Sequence, residues 1–334
     1  MSAVAIQPDQ SLSFEHILSP VAPSFHRLEQ RIAQELSSQV PLIEQVAQYT
    51  ISSGGKRLRP LLTLLSAQAC GYSSGPDHET MAIIVEFLHT ASLLHDDVVD
   101  ESPLRRGRAS AHSKWGHATS VLVGDFIYAR AFQMLVDLKN LDLQSTVANA
   151  IKTITEGEIF QLLNKGNSRI SEEDYFQIIH GKTAAMFLAA AKTGAQIANA
   201  DQATQNALAQ YANHLGCAFQ IIDDLLDYTG ELDTLGKELG EDLAEGKVTL
   251  PLIYALKLGS NAEQTLIQKA IESGEIGELE PFVLALERSG ALKATRERAL
   301  QIANKATASL DPLPNTEAKH ALKKLVTFSI QRHQ

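Results

Sequence analysis

Apolar residues recur at helical spacing along most of the chain. From Pro23 to Gln48 the repeating positions form one stripe, which consists of Ile32, Leu36, Val40, Ile43 and Val46. Residues 1–22 before it contain two prolines and show no such period. No convincing run alternates with the period of two that a half-buried strand requires. The pattern predicts an all-α protein with a flexible tail over residues 1–22 and one helical domain over residues 23–334.

Helix-capping and helix-breaking residues divide the rest of the chain into further helices. Residues 76–100 predict one long helix, which Pro103 ends. Ser171 and Asp201 stand where they can cap the starts of two more helices, over 171–196 and 201–228. The other helical patterns cover 111–138, 143–164, 249–255, 262–273, 279–289, 291–309 and 315–331, with a glycine-rich loop expected at 229–248. Because no repeat of 20–50 residues is found, a single large bundle is expected.

Two of the predicted helices carry the same acidic motif. It stands first at Asp96, Asp97 and Asp100, and again at Asp223, Asp224 and Asp227. The first and last aspartates of each motif share one helix face, and the middle one lies about 100° round the helix. A single acidic run can be a solvated helix end, but two copies among Leu, Ile and Val are costly unless they are paired or bind metal. The pattern therefore predicts two helices that face each other with Mg²⁺, which prefers carboxylate oxygens, between them.

A candidate anion site precedes the first acidic motif. Two glycines are followed by three cations in four residues, Lys56, Arg57 and Arg59, and then by a proline that opens the next helix. A solvated basic turn is the alternative interpretation. A P-loop is excluded because Thr50 stands where its first glycine should be, and Phe176 excludes one in the same way at Gly181-Lys182-Thr183.

Composition and charge exclude several classes of protein. The 334 residues are 44% hydrophobic and 20% charged, which is ordinary for a globular protein. A net charge of −10 argues against nucleic acid as the main partner. Cys70 and Cys217 are isolated and lack zinc-site spacing, which fits a reducing cytosol. Residues 1–13 do not resemble a signal peptide, and no run of about 18 apolar residues occurs. A cytoplasmic protein without a transmembrane segment is expected.

Taken in order, these motifs resemble those of the trans-isoprenyl diphosphate synthases, the polyprenyl synthetase family. The resemblance covers roughly residues 25–334 and is closest to the bacterial octaprenyl diphosphate synthases. It rests on Gly54–Pro60, the two aspartate motifs, Arg105-Arg106-Gly107, Gly124-Asp125, Gly181-Lys182-Thr183, Gln220 and Gly236-Lys237. It implies a helical bundle around a deep cavity, usually as a homodimer.

The resemblance also implies an activity. An allylic diphosphate, such as farnesyl diphosphate, would bind through three Mg²⁺ ions to both aspartate helices, with isopentenyl diphosphate beside it. The allylic C–O bond ionises, the alkene attacks the cation, and loss of a proton leaves a trans double bond. Repeated cycles give a long product, C40 by closest resemblance, for the side chain of a respiratory quinone such as ubiquinone. Because this product is strongly apolar, transient contact with a membrane during its release is possible.

Roles follow from position in the family's motifs. Direct metal ligands are expected at Asp96, Asp100 and Asp223, with Asp227 less certain, while Asp97 and Asp224 are either ligands or support them. The allylic diphosphate is expected on Arg105, Lys182, Lys237 and Lys247, and isopentenyl diphosphate on Lys56, Arg59, His89 and Arg106. Thr183 and Gln220 should lie near the carbocation. Arginine suits bidentate phosphate contacts, and lysine acts as a point charge.

Several of these residues have plainer interpretations. His89 on an apolar helix can be a core histidine, although it lies two turns before Asp96 on the same face. Trp115 is expected to be packing, and His95 has no assigned role. No side chain stands out as the base that takes the final proton, so the released diphosphate is an alternative.

Product length is expected to depend on the wall of the first aspartate helix. Ala91 and Ser92, five and four residues before Asp96, are small where bulky aromatics would block a tunnel in this family. Leu88 lies further down the helix, and Phe132 is a candidate floor or an ordinary core aromatic. An open tunnel predicts a product beyond C20, with C30 to C50 all possible.

Two other hypotheses fit the scaffold less well. A terpene cyclase usually keeps only one complete aspartate motif and lacks the cluster of Lys56 and Arg59. A silent partner subunit would be expected to have lost a motif, and both are complete here.

Overall fold

The computed structural model describes residues 13–73, 75–229, 239–277 and 279–331. These residues form an all-α bundle, as the periodicity predicts. In chain order its helices are α1 (Phe14–Leu18), α2 (Ala22–Glu35), α3 (Pro41–Ile51), α4 (Leu58–Ala69), α5 (Asp77–Val99), α6 (Ala111–Trp115), α7 (His117–Asp137), α8 (Leu141–Leu163), α9 (Glu172–Ile179), α10 (Ala185–Ile197), α11 (Gln202–Thr229), α12 (Glu241–Ala244), α13 (Leu250–Leu258), α14 (Asn261–Ser273), α15 (Leu279–Arg288), α16 (Ala291–Ser309) and α17 (Glu317–Ile330).

Part of the segment predicted to be a flexible tail is helical. Residues 14–21 form α1 and a 3₁₀ turn, and the side chains of Ile17 and Val21 are buried. Apolar side chains in this segment therefore anchor it to the bundle. Residues 1–12 lie outside the described residues.

The helix expected over residues 23–48 is two helices. α2 ends at Glu35, and α3 begins at Pro41, which stands in its first turn. A residue before proline disfavours the helical conformation, so Val40 is extended and the chain turns there. The helix expected over 111–138 is likewise interrupted, at Gly116, whose φ of +87° a side chain would strain.

The capping predictions are confirmed. Ser171 and Asp174 form a capping box at the start of α9. The Asp201 carboxylate accepts a hydrogen bond of 2.8 Å from the backbone N–H of Thr204 in the first turn of α11. In place of one helix over 171–196, however, α9 and α10 are joined by a π-helical segment, His180–Ala184.

The central helices of the bundle place the two acidic motifs. α5 packs on α4 and α7, and α11 packs on α10 and α16, while α10 also contacts α4, α5 and α8. The helices α5 and α11 therefore stand on either side of α10, and both aspartate motifs lie at their C-terminal ends.

The chain between these elements is short and irregular. β1 (Leu104–Arg105) and β2 (Arg108–Ala109) form a small antiparallel hairpin directly after the first motif. Residues 230–238 of the loop expected over 229–248 lie outside the described residues, and α12 forms one turn of helix within the rest. Within the described residues, no helix combines the length and apolarity needed to cross a bilayer.

Candidate active site

The first acidic motif ends α5 with its carboxylates facing cationic side chains. Asp97 is buried, and its Oδ1 accepts a hydrogen bond of 2.7 Å from Nε of Arg105. Asp100 lies between two lysines: Lys247 Nζ is 3.0 Å from Oδ2, and Lys165 Nζ is 3.3 Å from Oδ1. These ion pairs compensate the desolvation that buried carboxylates suffer.

Asp96 shares its surroundings with a fourth acid. Burial, together with the nearby charge of Glu158 on α8, raises the pKa of Asp96 to about 7. Glu158 forms an ion pair of 2.9 Å with Lys182, and the charge of Lys182 acts in the opposite direction on the pKa of Asp96. A cation bound beside Asp96 and Glu158 would therefore be stabilised by their charges.

The π-helical segment brings Lys182 to this position. Gly157 on α8 and Gly181 on the π segment touch through their backbones, so that a methyl carbon at Gly181 would lie 2.7 Å from the Cα of Gly157. Two glycines allow this approach because neither carries a side chain. The extra residue of a π turn then points Lys182 towards α8 and Thr183 towards α11.

The second acidic motif is held by a chain of hydrogen bonds that starts at Thr183. Its hydroxyl donates to Gln220 Oε1 at 2.8 Å, and Gln220 Nε2 donates to Asp224 Oδ1 at 2.7 Å. The other oxygen of Asp224 accepts the hydroxyl of Tyr175 at 2.6 Å. Asp224 is buried, and burial raises its pKa well above the usual range. Because both of its oxygens are engaged, Asp224 fits a role in supporting the site better than one as a direct ligand.

The remaining aspartates of the second motif differ in position. Asp223 lies at the wall of a cavity of about 430 Å³ between α4, α5 and α11. Asp227 accepts the backbone N–H of Asp242 at 3.3 Å through Oδ2, and its carbonyl accepts the N–H of Gly240 at 2.9 Å. Asp227 thereby connects α11 to α12 across the glycine-rich loop.

The 430 Å³ cavity gathers the basic residues predicted to bind one substrate. Its lining includes Lys56, Arg59, His89 and Arg106 together with Asp223. Arg59 donates a hydrogen bond of 2.9 Å to Nε2 of His89. Burial and the charge of Arg59 hold the pKa of His89 well below its ordinary value, so the ring is neutral and accepts this bond.

Glycine at position 55 makes room for one of these cations. Its φ is +125°, and a Cβ there would lie 2.5 Å from Nη1 of Arg106. Gly55 is thus required by the packing of Arg106 against the turn before α4, while Gly54 is favoured by its φ of +94° alone. The anion-site interpretation of this stretch gains support over that of a solvated basic turn.

A second cavity, of about 80 Å³, lies behind the second acidic motif. Lys182, Thr183, Gln220 and Lys247 line it together with Asp224. The lysines predicted for the allylic diphosphate therefore meet on this side of the site, and Arg105 lies on Asp97. Lys237 lies outside the described residues.

The residues predicted to set product length are not brought together in the same way. Ala91 and Leu88 are buried in α5, and the Ser92 hydroxyl donates to the carbonyl of His89. Phe132 is 40% exposed on the outer side of α7 and lines neither of the two cavities. The alternative of an ordinary core aromatic does not describe Phe132 either.

Several residues at the site were not assigned a role from the sequence. Glu158 belongs to the segment Glu156-Gly157-Glu158, and the glycine within this helical pattern is the one sequence feature that could have drawn attention to it. Lys165, Tyr175 and Asp242 gave none, because their partners lie far away along the chain: Tyr175 and Asp224 are 49 residues apart.

The donor set suits a hard divalent cation. Carboxylate oxygens of Asp96 and Asp100 already lie beside ammonium groups, so positive charge is stabilised at this position. Across the described residues, no group of three or more His, Cys, Asp or Glu side chains is arranged to hold a metal ion by itself. Part of a bound metal's coordination shell would therefore come from groups outside this set.

Comparisons with known proteins agree along the whole chain. The family model described as polyprenyl synthetase matches residues 40–283. The octaprenyl diphosphate synthase of Escherichia coli K12 is 44% identical over 322 residues, which are 96% of this chain and 99% of that protein. A Rhodobacter capsulatus protein, all-trans-nonaprenyl-diphosphate synthase (geranyl-diphosphate specific), is 43% identical over 96% of this chain and 98% of its own length.

A solved structure is similar in fold as well. The crystal structure of a polyprenyl synthase from Caulobacter crescentus CB15, complexed with calcium and isoprenyl diphosphate, superposes with a TM-score of 0.92. It is 40% identical and covers 98% of this chain and 100% of its own.

Tyr175→Phe should lower activity by removing one hydrogen bond from Asp224. Loss of a group that orients a site residue lowers activity about 10-fold or more, measured as kcat and KM of the condensation expected from the family resemblance. The matched control is Tyr211→Phe, since Tyr211 is also buried and donates to the carbonyl of Leu322 at 2.8 Å, away from the site. It should cost about 1 kcal/mol of stability without changing kcat. Equal kinetic effects in both variants would contradict the role given to Tyr175.

Proposed function

Because the chain belongs to the polyprenyl synthetase family, we propose that it joins isopentenyl diphosphate units to an allylic diphosphate and releases a C40 trans product. It is a prenyltransferase of the long-chain trans-polyprenyl diphosphate synthase type, and the identity of 44% over 96% of its length to an octaprenyl diphosphate synthase carries this conclusion. The C40 length is the finer part of the proposal. We assign the product to a quinone side chain, of which ubiquinone is the candidate.

Isopentenyl diphosphate binds in the 430 Å³ cavity. Lys56, Arg59 and Arg106 supply the positive charge for its phosphates there. Neutral His89 accepts a hydrogen bond from Arg59 and so fixes the direction of the guanidinium. This substrate is then held next to Asp223, which lies on the same cavity wall.

The allylic diphosphate binds at the pairs of acids and lysines. Asp96, Asp100 and Asp223 would hold Mg²⁺, which supplies charge neutralisation for the departing diphosphate. The Caulobacter relative was crystallised with calcium and isoprenyl diphosphate, which supports the use of a divalent cation here. Lys182 and Lys247 lie against Glu158 and Asp100 and are within reach of phosphate oxygens at the same place.

Ionisation creates a carbocation between the two sites. The Thr183 hydroxyl of the π-helical segment and the Gln220 amide of α11 are fixed by their mutual hydrogen bond. Their dipoles can face the cation without forming a bond to it. His89 is engaged with Arg59, so we assign the final proton to the released diphosphate.

Product analysis tests the activity and the length together. Purified protein with Mg²⁺, farnesyl diphosphate and labelled isopentenyl diphosphate should give a dominant C40 chain after dephosphorylation. Ser92→Phe should shorten the products, because a phenyl ring would fill space beside α5, while Ser92→Ala should keep the wild-type length. No elongation by the wild type would favour a silent partner subunit, and C15–C20 products would refute the open tunnel.

Removing one metal-binding carboxylate tests the two-helix site. Asp96→Asn and Asp223→Asn keep the shape of the side chain but remove its charge, and each should lower kcat by about 100-fold or more. Asp311→Asn, on the exposed turn after α16, is the control and should leave kcat unchanged. Near-wild-type turnover in Asp96→Asn or Asp223→Asn would exclude that residue as a ligand.

We also propose a homodimer, formed through the outer faces of α7 and α8. Large apolar side chains are exposed there: Leu122, Val136, Leu141, Ile159 and Leu163, at 66%, 59%, 79%, 54% and 78%. Exposed apolar area of this kind marks an interaction surface. Phe132 belongs to the same face of α7, which explains its exposure in the single chain. The cytoplasmic location stays a prediction that rests on the two free cysteines.

Charges placed on this face should separate the subunits. Leu122→Glu combined with Val136→Glu should convert the protein to a monomer, because a dimer would bury the new carboxylates. The measurement is mass by light scattering during size exclusion. Leu258→Glu is the control, since Leu258 is 51% exposed on α13. A wild type that is monomeric, or a double variant that stays dimeric, would refute this interface.

A further inference from the structure

A cluster of aromatic and basic side chains lies outside the site, beside the hairpin that follows the first acidic motif. We call Tyr49, Arg108, Lys114 and Trp115 the aromatic–basic patch. The Arg108 guanidinium lies 4.4 Å from the centre of the Tyr49 ring. The Lys114 ammonium lies 4.5 Å from the centres of both Tyr49 and Trp115. The two rings meet edge to face, with their centres 4.9 Å apart.

A hydrogen bond joins the patch to the hairpin, and its edges are apolar. The Tyr49 hydroxyl donates to the carbonyl of Ala109 at 2.7 Å, which fixes α3 against the hairpin. Leu104 pairs with Ala109 across the two strands and is 58% exposed. Leu42 is 43% exposed and lies two turns before Tyr49 on the same face of α3. Cations, rings and leucines therefore lie over α3, the hairpin and α6.

The local charge is opposite to that of the whole protein. The chain carries a net charge of −10, yet residues 102–124 contain no Asp or Glu. Of the four Lys and Arg residues in this run, Arg105 pairs with Asp97 and Arg106 lines the 430 Å³ cavity. Arg108 and Lys114 are exposed, so the positive charge of the patch faces outwards.

We propose that the aromatic–basic patch docks the protein on an anionic phospholipid surface. Tyrosine and tryptophan combine an apolar ring with a polar group and suit the boundary between lipid and water. The stacked cations can meet lipid phosphates while their stems cover apolar area. Exposed leucines enter the boundary beside them. Nucleic acid fits less well, because the rest of the protein is acidic and the leucines would stay exposed.

The purpose of such docking rests on the proposed function. A polyprenyl product of this length is strongly apolar, and a bilayer is where it can leave the protein without exposing its chain to water. The docking itself is a property of the patch, so it can be measured in the absence of substrate.

The sole tryptophan of the chain, Trp115, reports binding from within the patch. Full-length protein is mixed with vesicles of equal parts phosphatidylglycerol and phosphatidylcholine, or of phosphatidylcholine alone. Binding is measured by co-sedimentation and by the emission of Trp115. We expect binding to the anionic vesicles, a blue shift of the emission, and quenching when the lipid chains are brominated. Binding to neutral vesicles should be much weaker.

Removing the two outward charges should weaken this binding. Since each basic side chain strengthens attachment to an anionic surface about fivefold, Arg108→Gln with Lys114→Gln should weaken it about 25-fold. Lys293→Gln with Arg296→Gln is the matched control, because both residues are exposed on α16. Turnover in detergent should stay at the wild-type level in both double variants, which separates failure of docking from failure of the proposed function.

Several outcomes would overturn the proposal. These are absence of binding by the wild type, equal binding to both kinds of vesicle, and equal loss in the two double variants. Sedimentation without a change in Trp115 emission would place the binding elsewhere on the protein. A change of oligomeric state in Arg108→Gln with Lys114→Gln would identify the patch as an interface between copies of the chain instead.

Discussion

Carboxylates buried among apolar helices are the constraint on which this site depends. Around the first motif, three of them are compensated by cationic side chains from another element: Asp97 by Arg105, Asp100 by Lys165 and Lys247, and Glu158 by Lys182. Asp224 of the second motif is held instead by hydrogen bonds from Tyr175 and Gln220. The acids expected to bind metal are thus paired with the cations expected to bind diphosphate. In the proposed function, a bound divalent cation would take the carboxylates as ligands, and the released lysine and arginine side chains would be available to the diphosphate.

The π-helical segment places side chains beside both acidic motifs of this site. One extra residue in the turn points Lys182 at α8 and Thr183 at α11, and contact between Gly157 and Gly181 fixes the distance. Through Gln220 the segment reaches Asp224, which Tyr175 holds from the other side. One short stretch therefore connects the first acidic motif to the second, and a displacement there would affect both.

The helices and the two acidic motifs could be predicted from the sequence because both depend on local spacing. Periodicity gave α5 and α11 nearly to the residue, and the caps at Ser171 and Asp201 follow from side-chain chemistry. The break before Pro41 was missed because the apolar stripe continues through it. The π turn shifts the helical pattern by one residue, too little for periodicity to detect. Pairs such as Tyr175 with Asp224 depend on tertiary packing, which spacing does not encode.

The exposure of Phe132 cannot be explained from the contacts within one chain. The sequence offered a tunnel floor or a core position, but the side chain is 40% exposed on α7. It lies on the face where Leu122 and Val136 are also exposed, so another surface must cover it if its apolar area is to be buried. In the proposed dimer, α7 separates the first aspartate helix, against which it packs, from the partner subunit. A long product that extends along α5 would then approach the interface, and the residues that limit its length need not come from the core of one chain.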